Sequence, residues 1–102
     1  MAEIYDLEAL IEYRDHQIRS RKLSKKFDVE LPMQLFAFDE GESISNESTD
    51  LTKMIQVLDG TLIAELSKEK ITVEEGKWLV IPPNTLHSLR ADKRCKFLQI
   101  ET

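Results

Sequence analysis

Two glycine-anchored blocks constrain this chain more than any other feature. The first runs from Gly41 to Gly60 and reads GESISNESTDLTKMIQVLDG; the second runs from Gly76 to His87 and reads GKWLVIPPNTLH. Fifteen residues, Thr61 to Glu75, lie between them. Both blocks hold short runs of β-branched and aromatic residues closed by turn-forming residues: Asp59-Gly60, Glu75-Gly76 and Pro82-Pro83-Asn84. Asp59-Gly60 between two apolar runs predicts a hairpin, because glycine accepts a positive φ at little cost. Many short strands with regular turns fold as a sandwich or a barrel.

The same pattern extends on both sides of the blocks. Strands are expected at Ile18–Lys22, Met33–Phe38, Ser43–Glu47, Lys53–Leu58, Thr61–Leu66, Lys70–Val73, Trp78–Ile81, His87–Ala91 and Lys96–Ile100. Before them, Ile4, Leu7, Leu10 and Ile11 are spaced for one face of a helix over residues 4–12, with Asp6, Glu8 and Glu12 mostly on the other face. The expected fold is therefore all-β with a short N-terminal helix. The 102 residues suit one domain with one modest core.

The spacing of the two blocks resembles the two motifs of the cupin superfamily. Motif one reads Gly, five residues, His-x-His, three or four residues, Glu, six residues, Gly. Its slots hold Gly41, then Glu47 and Thr49, then Lys53, then Gly60. Motif two reads Gly, five residues, Pro-x-Gly, two residues, His, three residues, Asn. Its slots hold Gly76, Pro82, Asn84 for the glycine, His87, and Ala91 for the asparagine. The scaffold residues are present and most of the ligands are replaced. The resemblance implies a jelly-roll β-barrel over residues 33–100, carried in a single 1–102 cupin domain with residues 1–16 as a helical extension.

The resemblance also implies a site. In cupins the motif ligands point into the barrel, so Glu47, Thr49, Lys53 and His87 should converge near one mouth. Ile55 and Val57 then follow Lys53 on the inner face, and Leu89 and Ala91 follow His87, because strand side chains alternate. Glu47, Thr49, Lys53, Ile55, His87 and Leu89 would line a small-molecule pocket. A typical cupin holds a divalent metal with three imidazoles and one carboxylate. Here only His87 and Glu47 are candidate ligands, two fewer than a transition metal usually takes, so no metal cofactor is expected. A Glu47–Lys53 ion pair joined by His87 is expected to take the place of the metal as the polar centre.

Two functions are compatible with these residues. One is a stand-alone binding barrel with a degenerate metal site and an unidentified small-molecule ligand. The other is a metal-independent or weakly metal-dependent isomerase, lyase or dioxygenase-like enzyme using Glu47, Lys53 and His87, with His87 as acid or base and Lys53 as nucleophile. The net charge of −5 argues against nucleic-acid binding, and the basic residues between Arg14 and Lys26 read as a solvated surface. No apolar run is long enough to cross a bilayer, and the acidic start MAEIYDLEAL does not read as a signal peptide. The lone Cys95 can form no internal disulfide, which favours the cytoplasm. His16 reads as a solvated residue. Phe36, Phe38 and Trp78 exceed what a small closed interior needs, so a homodimer is expected.

Overall fold

A computed structural model describes residues 2–102. Nine strands form two antiparallel sheets. They are β1 (Ile18–Lys22), β2 (Met33–Phe38), β3 (Ser43–Glu47), β4 (Lys53–Asp59), β5 (Thr61–Leu66), β6 (Glu69–Glu74), β7 (Trp78–Ile81), β8 (His87–Ala91) and β9 (Cys95–Glu101). One sheet has the order β1-β2-β9-β4-β7 and the other β3-β8-β5-β6. One short helix, α1 (Ser24–Phe27), follows β1 and is closed by Asp28 in the left-handed conformation at φ 54°. No helix among the described residues is long and apolar enough to cross a membrane.

Alternation along the strands builds the interior. Phe38 of β2, Ile55 and Val57 of β4, Leu62 and Ala64 of β5, Leu89 and Ala91 of β8, and Cys95 and Phe97 of β9 form one buried cluster. Phe36, Phe38 and Phe97 sit together in it, with ring centroids 5.0–6.1 Å apart. Burial pushes the Cys95 thiol up to about 12, so it stays a protonated, unreactive core group.

The expected N-terminal helix is not formed. The chain makes a single 3-10 turn at Leu7–Leu10 and is extended again at Ile11 (φ −145°, ψ 142°). Ile4 is fully exposed rather than on a packed face. Carbonyls that a helix would use internally are taken by the sheet: Lys96 Nζ donates to Glu8 O at 2.7 Å and Arg21 Nη1 to Leu10 O at 2.8 Å. The apolar residues of this arm cover the outer face of the five-stranded sheet instead. Leu7, Leu10, Ile11 and Tyr13 pack on Leu23, Leu35, Ala37 and Leu98. The Tyr13 hydroxyl donates to Asp59 at 2.6 Å; burial, and then this bond, push its pKa far up. Asp39 ties the arm to the sheet by accepting from Arg94 Nε at 2.8 Å and from the His16 backbone N–H at 2.7 Å. These bonds hold its carboxyl down at about 2.

The Asp59-Gly60 hairpin is also corrected. β4 and β5 lie in different sheets, so Gly60 turns a corner between sheets. Gly60 is needed there twice over. Its φ is +80°, and a Cβ would stand 1.7 Å from the Arg94 carbonyl oxygen, whereas Gly41 and Gly76 have open space. Gly60→Ala should therefore cost about 2–4 kcal/mol, combining left-handed strain with backbone overlap, against about 1–2 kcal/mol for Gly41→Ala. Urea unfolding of the two variants checks this; equal losses would mean the corner relaxes freely.

Candidate functional site

Three of the expected site residues meet at one end of the two sheets. β3 ends at Glu47, β4 starts at Lys53 and β8 starts at His87. Glu47 and His87 are directly opposite each other in the β3–β8 pairing. That pairing shifts register between Ile44 and Glu47, where Asn46 takes φ 56°. Such a bulge re-aims the side chains beyond it. Lys53 is on the inner face of β4, above Ile55 and Val57 in the core.

Lys53 is the centre of the cluster and is only 4% exposed. Its Nζ lies 3.3 Å from Glu47 Oε2 and 3.1 Å from His87 Nε2. The His87 tautomer follows from its other nitrogen. Nδ1 is 2.9 Å from the Thr85 carbonyl oxygen, which can only accept, so Nδ1 carries the proton. Nε2 of the neutral ring then accepts from the Lys53 ammonium. Glu47 closes the group from outside, with a side chain 44% exposed.

The remaining candidates are placed differently. Thr49 does not join the cluster. Its hydroxyl accepts from the Leu51 backbone N–H at 3.2 Å, and its carbonyl accepts from the Asn84 N–H at 2.6 Å. Asn84, in the glycine slot of the second block, has φ 60°. Asparagine tolerates this left-handed conformation better than other non-glycine residues, which explains the replacement. Ile55 and Leu89 are fully buried and form a packed floor beneath Lys53 and His87. Trp78 is 49% exposed on the edge strand β7 and faces away from the interior. His16 is exposed at φ 59°.

The donor set can be compared with what a divalent metal needs. Two ligand atoms of suitable type remain, from Glu47 and His87, and an ammonium stands within hydrogen-bond distance of both. Among the described residues there is no group of three or more His, Cys, Asp or Glu side chains that could hold a metal ion.

The sequence reading missed two residues at this end. Gln99 and Glu101 continue the inner face of β9 beyond Cys95 and Phe97, and Gln99 Nε2 donates to Glu101 Oε1 at 3.0 Å. The signal was available: period-two alternation puts Cys95, Phe97, Gln99 and Glu101 on one face, and the face turns polar level with Lys53.

No protein-family model matches the chain. One curated relative is a protein of Saccharolobus solfataricus named "putative dioxygenase", 29% identical over 102 residues. The match covers 88% of this chain, which spans only 27% of that relative's length. Among solved structures, a cupin superfamily protein from Desulfitobacterium hafniense superposes with a TM-score of 0.89 at 27% identity, covering 99% of this chain and 91% of that one. A cupin 2 conserved barrel domain protein from Leptotrichia buccalis gives a TM-score of 0.87 at 26% identity, covering 96% of this chain and 47% of that one. The sheet arrangement and these likenesses agree with the motif spacing: over nearly its whole length the chain is similar in fold to cupin superfamily proteins.

Proposed function

We propose that the protein is a metal-independent, small-molecule-binding jelly-roll barrel whose polar centre is the Glu47–Lys53–His87 group. The observation that carries this reading is the position of Lys53 Nζ, within hydrogen-bond distance of both remaining ligand-type side chains. A cation there would face an ammonium, and the degenerate site replaces metal charge with a fixed positive side chain. A buried ammonium is costly unless it is paired, and Glu47 supplies the pairing. The buried, protonated Cys95 fits a reducing compartment such as the cytoplasm.

A second reading is an enzyme using Glu47, Lys53 and His87 in isomerase, lyase or dioxygenase-like chemistry. The name of the Saccharolobus relative favours it, although this chain spans 27% of that protein. Metal content tests the dioxygenase-like form of this reading, since a dioxygenase of this fold would use a bound metal, and turnover tests its metal-independent forms. Elemental analysis of the purified protein should find far less than one equivalent of iron, manganese, nickel or zinc. Near one equivalent, lost in His87→Ala, would replace the binding reading with the enzymatic one.

The ion pair has its own test. Glu47→Gln leaves a buried ammonium with only His87 as partner, whereas Lys53→Met leaves Glu47 free to turn into water. Glu47→Gln should be the costlier change, on the order of 1–3 kcal/mol between the limits for exposed and buried pairs. The double variant should be less damaged than the sum of the two, measured by denaturant unfolding. Additivity within about 0.5 kcal/mol would mean the pair is uncoupled.

We further propose a homodimer through β7. Of the four sheet edges, β1 carries Arg19, Arg21 and Lys22, β6 carries Glu69, Lys70 and Glu74, and β3 is bulged. β7, Trp78–Ile81, has no charge and exposes Trp78 and Val80 (55%) on its outer side. An unguarded apolar edge pairs readily with a second copy. Sedimentation should give a dimer at tens of micromolar protein, shifted toward monomer by Val80→Lys. A monomer in the unmodified protein would refute the proposal.

A further inference from the structure

A cleft of about 230 Å³ opens on the inner face of the five-stranded sheet, beside β1, β2 and β9. None of Glu47, Lys53 and His87 lines it, so it is a separate site and does not rest on the binding reading above. Its floor is one cross-strand row. Lys22 of β1 is opposite Gln34 of β2, and Gln34 is opposite Gln99 of β9. Directly opposed residues share a face. Leu35 and Leu98 pack under the N-terminal arm, so alternation turns this row inward. Glu101, two residues past Gln99, is on the same face. Glu30 and Pro32, from the segment between α1 and β2, complete the lining. Ser24 fastens that segment: its hydroxyl donates to the Leu31 carbonyl at 2.8 Å and accepts from the Met33 N–H at 3.0 Å.

Polar groups of this cleft are left unpaired. Gln99 is only 7% exposed. Its Nε2 donates to Glu101 Oε1, and because a carboxylate only accepts, this bond sets which way the amide faces. The amide oxygen then has no partner among the described residues. No fully buried side-chain nitrogen or oxygen there lacks a partner, so this oxygen is open to a molecule in the cleft that Gln99 lines. Lys22 is exposed and forms no ion pair among the described residues, although Glu30 and Glu101 line the same cleft. The cleft is therefore polarised across the strands. An ammonium enters it from β1, and an amide oxygen and a carboxylate enter it from β9, two strand spacings or about 10 Å away at Cα.

We infer that this cleft binds a small zwitterion, an α-amino acid with a short side chain. The ligand's ammonium donates to the Gln99 oxygen and to Glu101. Its carboxylate accepts from Lys22 and from the Gln34 amide. A ligand with only a carboxylate would bring negative charge toward Glu30 and Glu101, and one with only an ammonium would set a second cation beside an unpaired Lys22. The cleft is below the 300–1,000 Å³ usual for drug-sized ligands, which fits a compound of few carbons.

Three matched probes test this: alanine, lactate with a hydroxyl in place of the ammonium, and alaninamide with an amide in place of the carboxylate. Titration into labelled protein is followed by NMR of the Gln99 side-chain amide. Alanine should give a saturable shift with half-saturation on the order of 10 mM, and the other two should be weaker by about tenfold. Lys22→Met changes an exposed side chain and should leave the fold intact. It should weaken alanine about tenfold without weakening alaninamide. Glu101→Gln should weaken alanine without weakening lactate. Lactate or alaninamide binding as tightly as alanine would overturn the zwitterion. No saturable shift at Gln99 with alanine, or an alanine affinity that Lys22→Met leaves unchanged, would overturn the site.

Discussion

An ammonium at the end of an aliphatic interior sets the terms for the rest of this barrel end. Ile55 and Val57 lie directly beneath Lys53, so Nζ has no water below it. A charge held that way must be hydrogen-bonded to neighbouring side chains. His87 serves as an acceptor through Nε2, and the Thr85 carbonyl favours this by accepting a hydrogen bond from Nδ1–H. Glu47 can serve only if its strand is re-aimed, and the bulge at Asn46 does this. The His87 tautomer and the bulge at Asn46 thus answer one electrostatic requirement.

The five-stranded sheet is buried on both faces over β2 and β9, and this shapes the N-terminal arm. Leu35, Ala37 and Leu98 face outward and would meet water without a cover. Leu7, Leu10, Ile11 and Tyr13 supply that cover, held by hydrogen bonds that Arg21 and Lys96 donate to its carbonyls and that the Tyr13 hydroxyl donates to Asp59. Arg94 and Lys96 also lie over the Tyr13 ring at 5.2 and 5.1 Å. Beyond β9 the cover stops, and Trp78 and Val80 on β7 remain open.

The strands were legible because alternation and turn chemistry are local signals. Six of the nine strands have both ends as expected, and β4, β6 and β9 extend by one residue at one or both ends, as at Asp59. The arm was misread for a physical reason. Apolar spacing of three and four residues also fits a nearly extended segment whose carbonyls are bonded by distant side chains, and sequence does not display those partners. The corner at Gly60 was misread because glycine serves a sheet-to-sheet turn as well as a hairpin, and only the Arg94 carbonyl distinguishes them. At the site, Glu47, Lys53 and His87 were legible from motif spacing. Thr49 was not, since its hydroxyl closes its own loop. Gln99 and Glu101 lie outside both motifs, so only face alternation could have found them.

The hydrogen bond from the Asn84 N–H to the Thr49 carbonyl has a kinetic consequence. It ties the loop after β3 to the loop after β7, the two segments that flank the barrel end. With the backbone rim fastened across, the Glu47 side chain is the part freest to move aside. Rotamer changes of an exposed side chain take picoseconds to nanoseconds, whereas loop openings are slower by orders of magnitude. Of the groups around Lys53, the Glu47 side chain is thus the one whose torsions can uncover it.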